Sequence, residues 1–424
     1  MHIAESGVFM VGSSPLQHER FMTEKTRSGA GGLVVWLSAA QLISWGSLFY
    51  TFALVMEPVE RELGLSRAQS SLAFSLALLA EGLMAYPVGR WIDRGHERAI
   101  MTTGSVLAGI CLALHGQITS MGGFYAVWMG LGVAMACVLY SPGFAVVTRR
   151  FPNDFRRAII TMTFLGGLAS TVIMPLTAWL ISNWGWRQAL LPLAALHWFV
   201  CAPIHVGLLT GAPGPAHSGH ASSNSRMGEL SRLLRSAPFL GVGSFVILMM
   251  AVTVALPTHM VSLLRENQLS ETWVVAIPAS IGVIQVLGRL VLYFFEHHVD
   301  LHTANRLIPC LLPMALACLL AAAFSDGVQA GAVLLFVLLY GLGNGMLTIV
   351  KGTAMAQYVS HPHAASLNGA LGVPLALARA SAPLMLGLLW TPQVGYNHGL
   401  WLLLVLSLAG VGALVLAQRA SRNR

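Results

Sequence analysis

The chain has 424 residues, 56% of them hydrophobic and only 9% charged, with a formal net charge of +8. An ordinary soluble domain is about 25% charged, so this composition excludes one and points to a chain that lives mostly in lipid.

Residues 1–32 are polar and lack the apolar core of a secretory signal, so no cleaved leader is expected and the segment reads as disordered. Beyond it, apolar runs follow at 33–55, 68–88, 99–118, 124–147, 158–181, 188–209, 238–262, 272–295, 306–324, 331–357, 364–390 and 398–417. A helix needs about 20 such residues to cross a hydrocarbon layer about 30 Å thick. The runs are too long and too continuously apolar for barrel strands. The predicted fold is an all-α polytopic membrane protein with twelve transmembrane helices in two pseudo-symmetric six-helix bundles, 33–209 and 238–417. A cytoplasmic loop, 210–237, divides them, and a short tail, 418–424, follows. Within that loop 211–226 reads as disordered, and Met227 to Arg235 is amphipathic enough to lie on a membrane surface.

The basic residues are unevenly placed. The segments on one side (1–32, 89–98, 148–157, 210–237, 296–306 and 418–424) hold 17 of the 24 Lys and Arg, and the opposite loops hold four: Arg61, Arg67, Arg187 and Arg265. This bias predicts both termini in the cytoplasm. It also accounts for the positive charge without nucleic acid. An integral protein of a bacterial inner membrane, surrounded by lipid and working as a monomer, is expected. All five cysteines fall in apolar runs and read as packing residues. His217 and His220 are too sparse for a metal site, and no cofactor or metal is expected.

The halves resemble each other. Gly130-Leu131-Gly132-x-x-Met135 in the fourth run recurs as Gly341-Leu342-Gly343-x-x-Met346 in the tenth. Pro175-Leu176 with Leu180 recurs as Pro383-Leu384 with Leu388, and Val88-Gly89-Arg90 as Leu287-Gly288-Arg289. Such repeats build midplane sites that two bundles open alternately to either side.

After the second run, Gly89-Arg90-Trp91-Ile92-Asp93-Arg94 resembles the G-x-x-x-D-R signature of the major facilitator superfamily, with Arg98 closing the loop. Within that superfamily the chain is similar to the monocarboxylate and oxalate–formate carriers. The stretches concerned are Trp45-Gly46 to Tyr50, Leu63-Gly64-Leu65-Ser66, Phe151…Arg156-Arg157-Ala158, Gly167, Gly185-Trp186-Arg187, Pro257-x-His259 and Gly288-Arg289. It departs from the pattern at Ala126, where drug antiporters carry arginine, at Met162, where these carriers have glycine, and at Gln285, where they have aspartate. The resemblance implies a twelve-helix carrier whose Gly89, Asp93, Arg94 and Arg98 loop gates the cytoplasmic side.

Apart from Arg306 at the very start of the ninth, four Asp, Glu, Lys or Arg residues lie inside the runs: Glu81, Arg289, Lys351 and Arg379. Each costs at least about 2.5 kcal/mol at a bilayer centre unless paired or hydrated. Arg289 lies about 25 Å along the eighth run, with Gln285 one turn above it. By the resemblance it binds a substrate carboxylate; otherwise it anchors near the interface. Arg379 reads as a second substrate residue or as the partner of Glu81. Glu81, near the midplane, reads as a proton carrier or as half of a permanent pair. Lys351 lies near the end of its run and is expected to snorkel. His259 and Tyr50 complete the candidate substrate set, although a histidine bonded near the outer interface fits equally. The expected function is secondary transport of a small organic anion, a monocarboxylate, by proton symport or anion exchange. Efflux of amphiphilic drugs or metabolites is the alternative, and an enzyme is not expected.

Overall fold

The computed structural model describes residues 31–152, 154–212, 223–295, 301–322, 329–360 and 363–422. Residues 1–30, His217 and His220 lie outside these, and so do the expectations attached to them.

Among the described residues, eleven helical segments are long and apolar enough to cross a membrane, and one of them, Arg157–Leu208, is 52 residues long. It holds two passes. Gly185, at φ 75 and ψ 159, breaks it with a conformation that a residue bearing Cβ rarely adopts. The spans are therefore twelve: α1 (Gly31–Leu63), α2 (Arg67–Asp93), α3 (Glu97–His115), α4 (Met121–Arg150), α5 (155–184), α6 (186–208), α7 (Ala237–Glu266), α8 (Glu271–Phe295), α9 (Leu301–Ala322), α10 (Gln329–Tyr358), α11 (Ala364–Ala370 with Gly372–Leu389) and α12 (Asn397–Arg422). A surface helix, Ser223–Leu234, precedes α7 and starts inside the stretch expected to be disordered. Its Leu230, Leu233 and Leu234 pack on the second-half core, which is why it orders.

Local chemistry sets the boundaries. α1 runs to Leu63, eight residues past its apolar run, because Glu57 and Glu60 on the extra turns are paired with arginines. Gly64 ends the helix in the left-handed region at φ 64, and Ser66 starts α2 through a reciprocal capping box with Gln69. That accounts for Leu63-Gly64-Leu65-Ser66 as a turn. Gly185-Trp186-Arg187 is likewise structural. Arg187 donates to the Gly116 and Ile118 carbonyls at 2.9 and 2.7 Å and to Glu62 at 2.9 and 2.7 Å, while Trp186 Nε1 donates to Glu62 at 2.8 Å.

Three spans are broken along their length. α4 breaks at Leu139, α5 at Leu168 and α11 at Leu371. In α4 the cause is Pro142, which has no N–H for the Val138 carbonyl. Gln41 replaces the lost donor, with its Nε2 at 2.6 Å from that oxygen. α1 carries a π-helical turn, Trp45–Tyr50, that ends on Tyr50; such turns frequently mark functional sites.

Two large apolar cores result, beside a small cluster of Ala40, Cys201 and Ile204. One is built almost wholly from α1–α6 and the other from α7–α12, with Ala53, Leu54 and Met174 crossing to the second and Val254 and Ala380 to the first. The halves meet along α2 against α11, α5 against α8 and α1 against α7.

Candidate functional site

The seam between the halves is tied at one end. At the tied end, Arg67 at the start of α2 is buried. Its Nη1 donates to the Tyr396 hydroxyl at 2.5 Å, and its guanidinium sits 4.9 Å over the Trp390 ring. On its own half it meets Glu60 at 3.1 Å and Glu57 at 3.7 Å. Arg265 on α7 reaches back across the seam to Glu57 at 2.7 Å and holds Glu271 at 2.8 and 2.9 Å.

His259 belongs to this cluster. Its Nε2 lies 2.9 Å from the Pro383 carbonyl and must donate there, so Nδ1, 2.9 Å from the Tyr396 hydroxyl, takes that proton. A chain of donors thus runs from Arg67 through Tyr396 and His259 to Pro383. Burial raises the pKa of the Tyr396 hydroxyl, against the nearby Arg67, which lowers it. The phenol therefore stays a neutral link. His259 shares none of these partners with Arg289, so the structure does not bring it into one group with that residue.

Midway along the seam, Arg379 Nη1 and Nη2 grip Glu81 Oε1 and Oε2 at 3.2 and 2.8 Å. The pair joins α2 to α11 beside a close approach of the two helices: a Cβ added at Gly82 would lie 2.8 Å from that of Ala376. At the matching α5–α8 crossing the tie is neutral. Thr171 Oγ1 donates to the Ala279 carbonyl at 2.7 Å.

Arg289 also spans the halves. Its Nη1 donates to the Thr163 carbonyl at 2.6 Å, just before the break in α5, and its Nε lies 3.4 Å from the Gly345 carbonyl. Gly167 leaves room for it, since a Cβ there would lie 3.0 Å from Nη1. Tyr50 and Tyr140 are near enough for its charge to act on both. Both oxygens on the guanidinium belong to backbone, and among the described residues no carboxylate pairs with it. Gln285, one turn away, is buried with its backbone packed on Gly345.

Lys351 departs from its expected place. It is half-buried and lies close enough to Arg379 and Arg289 for their charges to act on it. A lipid-facing anchor would have no such neighbours.

At the opposite end, Asp93, Arg94 and Arg98 are exposed. Gly95 turns the chain there at φ 90, and a Cβ at Gly89 would meet nothing within 4 Å. Glu97, which stands where the superfamily signature has a basic residue, is fully buried and bonded to Arg150, with Arg149 at 3.7 Å. The loop is thus tied to its own half in this conformation.

Sequence reasoning missed the tied end. Arg67 and Arg265 read as loop charges, and the signal was present only as acids at 57, 60, 266 and 271 near basic residues on separate spans.

The sequence model of the Major Facilitator Superfamily matches residues 37–383. Among curated proteins, monocarboxylate transporter 13 of Bos taurus is 25% identical over 310 residues, which are 68% of this chain and 68% of that one. Among solved structures, a bacterial homolog of the human lysosomal transporter Spinster superposes with a TM-score of 0.69 at 17% identity, covering 93% of this chain and 97% of that one. The nucleoside transporter NupG gives 0.68 at 15%, covering 92% and 98%, and a D-xylose–proton symporter 0.67 at 13%, covering 91% and 96%. At these identities the structural likeness is one of fold.

Proposed function

This chain belongs to the major facilitator superfamily, and we propose that it is a secondary transporter for a small organic anion. Alternating access moves the anion, with proton symport or anion exchange as the driving cycle. The observation that carries the reading is Arg289: a guanidinium on the seam between the halves, flanked by Tyr50 and Tyr140 and held by backbone carbonyls, with no carboxylate among the described residues neutralising it. Carbonyl oxygens orient a guanidinium but do not cancel its charge, so an anion in the seam gains both charge and fork geometry. The monocarboxylate class is supported by the name of the bovine relative and by the sequence resemblance.

Glu81 is the coupling candidate, because Arg379, its ion-pair partner among the described residues, sits on the opposite half. Opening the seam separates them and frees the carboxylate to take a proton. With both termini in the cytoplasm, as the Lys and Arg bias requires, the tied end faces outward and the exposed Asp93 loop faces inward. This conformation is then inward-open, and Asp93, Arg94 and Gly89 act in the opposite one. His259 belongs to the outer gate in this reading, and Arg289, Gln285, Arg379 and Tyr50 remain at the site.

The test is ligand-induced stabilisation of the purified protein by acetate, lactate, pyruvate and oxalate, since a bound ligand raises stability by mass action. Arg289→Gln is expected to weaken the responding carboxylate by about 2–5 kcal/mol. A cationic or neutral solute that stabilises wild type and Arg289→Gln alike would overturn the anion reading.

A further inference from the structure

The tenth span carries a polar face that the site described so far does not use. Tyr340, Asn344, Thr348 and Lys351 are spaced by four, four and three residues along α10, which places them on one side of the helix. Polar side chains aligned in this way inside a membrane face protein or a wet cavity rather than lipid. The neighbours agree. Tyr340 is fully buried near Tyr50 of the other half, and its hydroxyl has no partner among the described residues. Lys351, about three turns further on, lies within reach of the charges of Arg379 and Arg289.

The internal repeat gives a second, independent placement. The match of Gly130-Leu131-Gly132-x-x-Met135 to Gly341-Leu342-Gly343-x-x-Met346, continued five residues, sets Tyr140 opposite Lys351. Tyr140 lines the seam from the first half: it feels Arg289 and Tyr50, and a Cβ at Gly166 would lie 2.5 Å from its hydroxyl. Lys351 is then the corresponding residue of the second half.

The three cations are not equally engaged. Arg379 has both terminal nitrogens on Glu81, and Arg289 has Thr163 and Gly345 carbonyls. On the Lys351 ammonium no oxygen is placed among the described residues. Lys351 and Arg289, neither paired with a carboxylate among the described residues, repel unless an anion lies between them.

We infer that Lys351 is a substrate-contacting residue, the third cation of the anion site, which shares the substrate carboxylate with Arg289 while Arg379 stays on Glu81. The inference rests on the anion-carrier reading and assigns it a residue on a further helix. Lys351 lies about 10 Å from the α10 terminus at the Asp93 end, at 1.5 Å per residue. Arg289, six residues from the Phe295 end of α8 on the same side, lies at a similar depth, so one small anion can reach both.

The test uses the full chain in lipid nanodiscs and measures dissociation constants for acetate, lactate, pyruvate and oxalate. Lys351→Met, which keeps the length and removes the charge, should weaken the bound carboxylate at least about tenfold, while Lys351→Arg stays within about threefold. The ligand-free melting temperature of Lys351→Met should match wild type. A wild-type dissociation constant in Lys351→Met, with binding still lost in Arg289→Gln, overturns the third cation and leaves the anion carrier standing. Absence of carboxylate binding in wild type overturns both. Should Lys351→Met fail to fold, Lys351→Cys labelled by a cationic methanethiosulfonate serves instead. Protection of that thiol by the carboxylate supports the assignment, and an unchanged labelling rate overturns it.

Discussion

Arg67 and Tyr396, 329 positions apart in sequence, meet at 2.5 Å across the seam, and the same phenol lies 2.9 Å from His259. One hydroxyl therefore serves both an arginine of the first half and a histidine of the second. Tyr396→Phe removes it while keeping the ring under the Arg67 guanidinium. We expect the tied end to loosen by about 1–3 kcal/mol, the cost of leaving buried polar groups short of a partner. Spin labels placed on α1 and α7 at that end should show a longer-distance population, and an unchanged distribution would remove Tyr396 from the gate.

The Glu81–Arg379 pair separates two mechanisms. Glu81→Gln copies the protonated acid. If the pair is a switch, gradient-driven accumulation is lost and counterflow at equal pH persists. If the pair is permanent, the variant leaves a buried guanidinium unpaired at a cost of about 3–5 kcal/mol, and both activities fall together. Uptake and counterflow measured side by side in liposomes decide between them. Wild-type accumulation would defeat both.

Two glycines on α2 should behave oppositely. At Gly82 a Cβ would sit 2.8 Å from that of Ala376, whereas at Gly89 it would meet nothing within 4 Å. Gly82→Ala is expected to lower the melting temperature through an overpacking cost of about 1–3 kcal/mol. Gly89→Ala should leave melting unchanged and slow transport, because the Asp93 loop closes only in the other conformation. Asp93→Asn should likewise slow transport at normal expression. Full-speed uptake in both loop variants would exclude the loop from the cycle.

Gln41 offers a prediction independent of function. Its Nε2 supplies the donor that Pro142 denies to the Val138 carbonyl. Gln41→Leu strands that carbonyl and should cost about 1–3 kcal/mol, read as a lower melting temperature. Pro142→Ala in the same background restores a backbone N–H and should recover part of the loss. Equal melting of the single and double variants would show that the carbonyl finds another partner.

Span number, their order and the six-plus-six repeat were legible in the residues themselves, because a bilayer demands about 20 apolar residues per crossing and tolerates few charges. Glu81, Arg289, Lys351 and Arg379 stood out for the same reason. Their pairing did not. One-dimensional depth allowed Glu81 to meet Arg379, but only the approach of α2 to α11 at Gly82 and Ala376 made the contact. Depth along a helix says nothing of which face Lys351 occupies, and only the tertiary structure brings it within reach of the charges of Arg379 and Arg289. Arg67 and Arg265 looked like loop charges because sequence carries no distance between loops, and their value lies in acids and rings brought to them from other spans. Hydrophobicity is local and additive, so composition determined the topology. Charge pairing and hydrogen bonding act over about 3 Å and need two partners, so only the tertiary structure decided which end of the seam is tied and which polar groups share it.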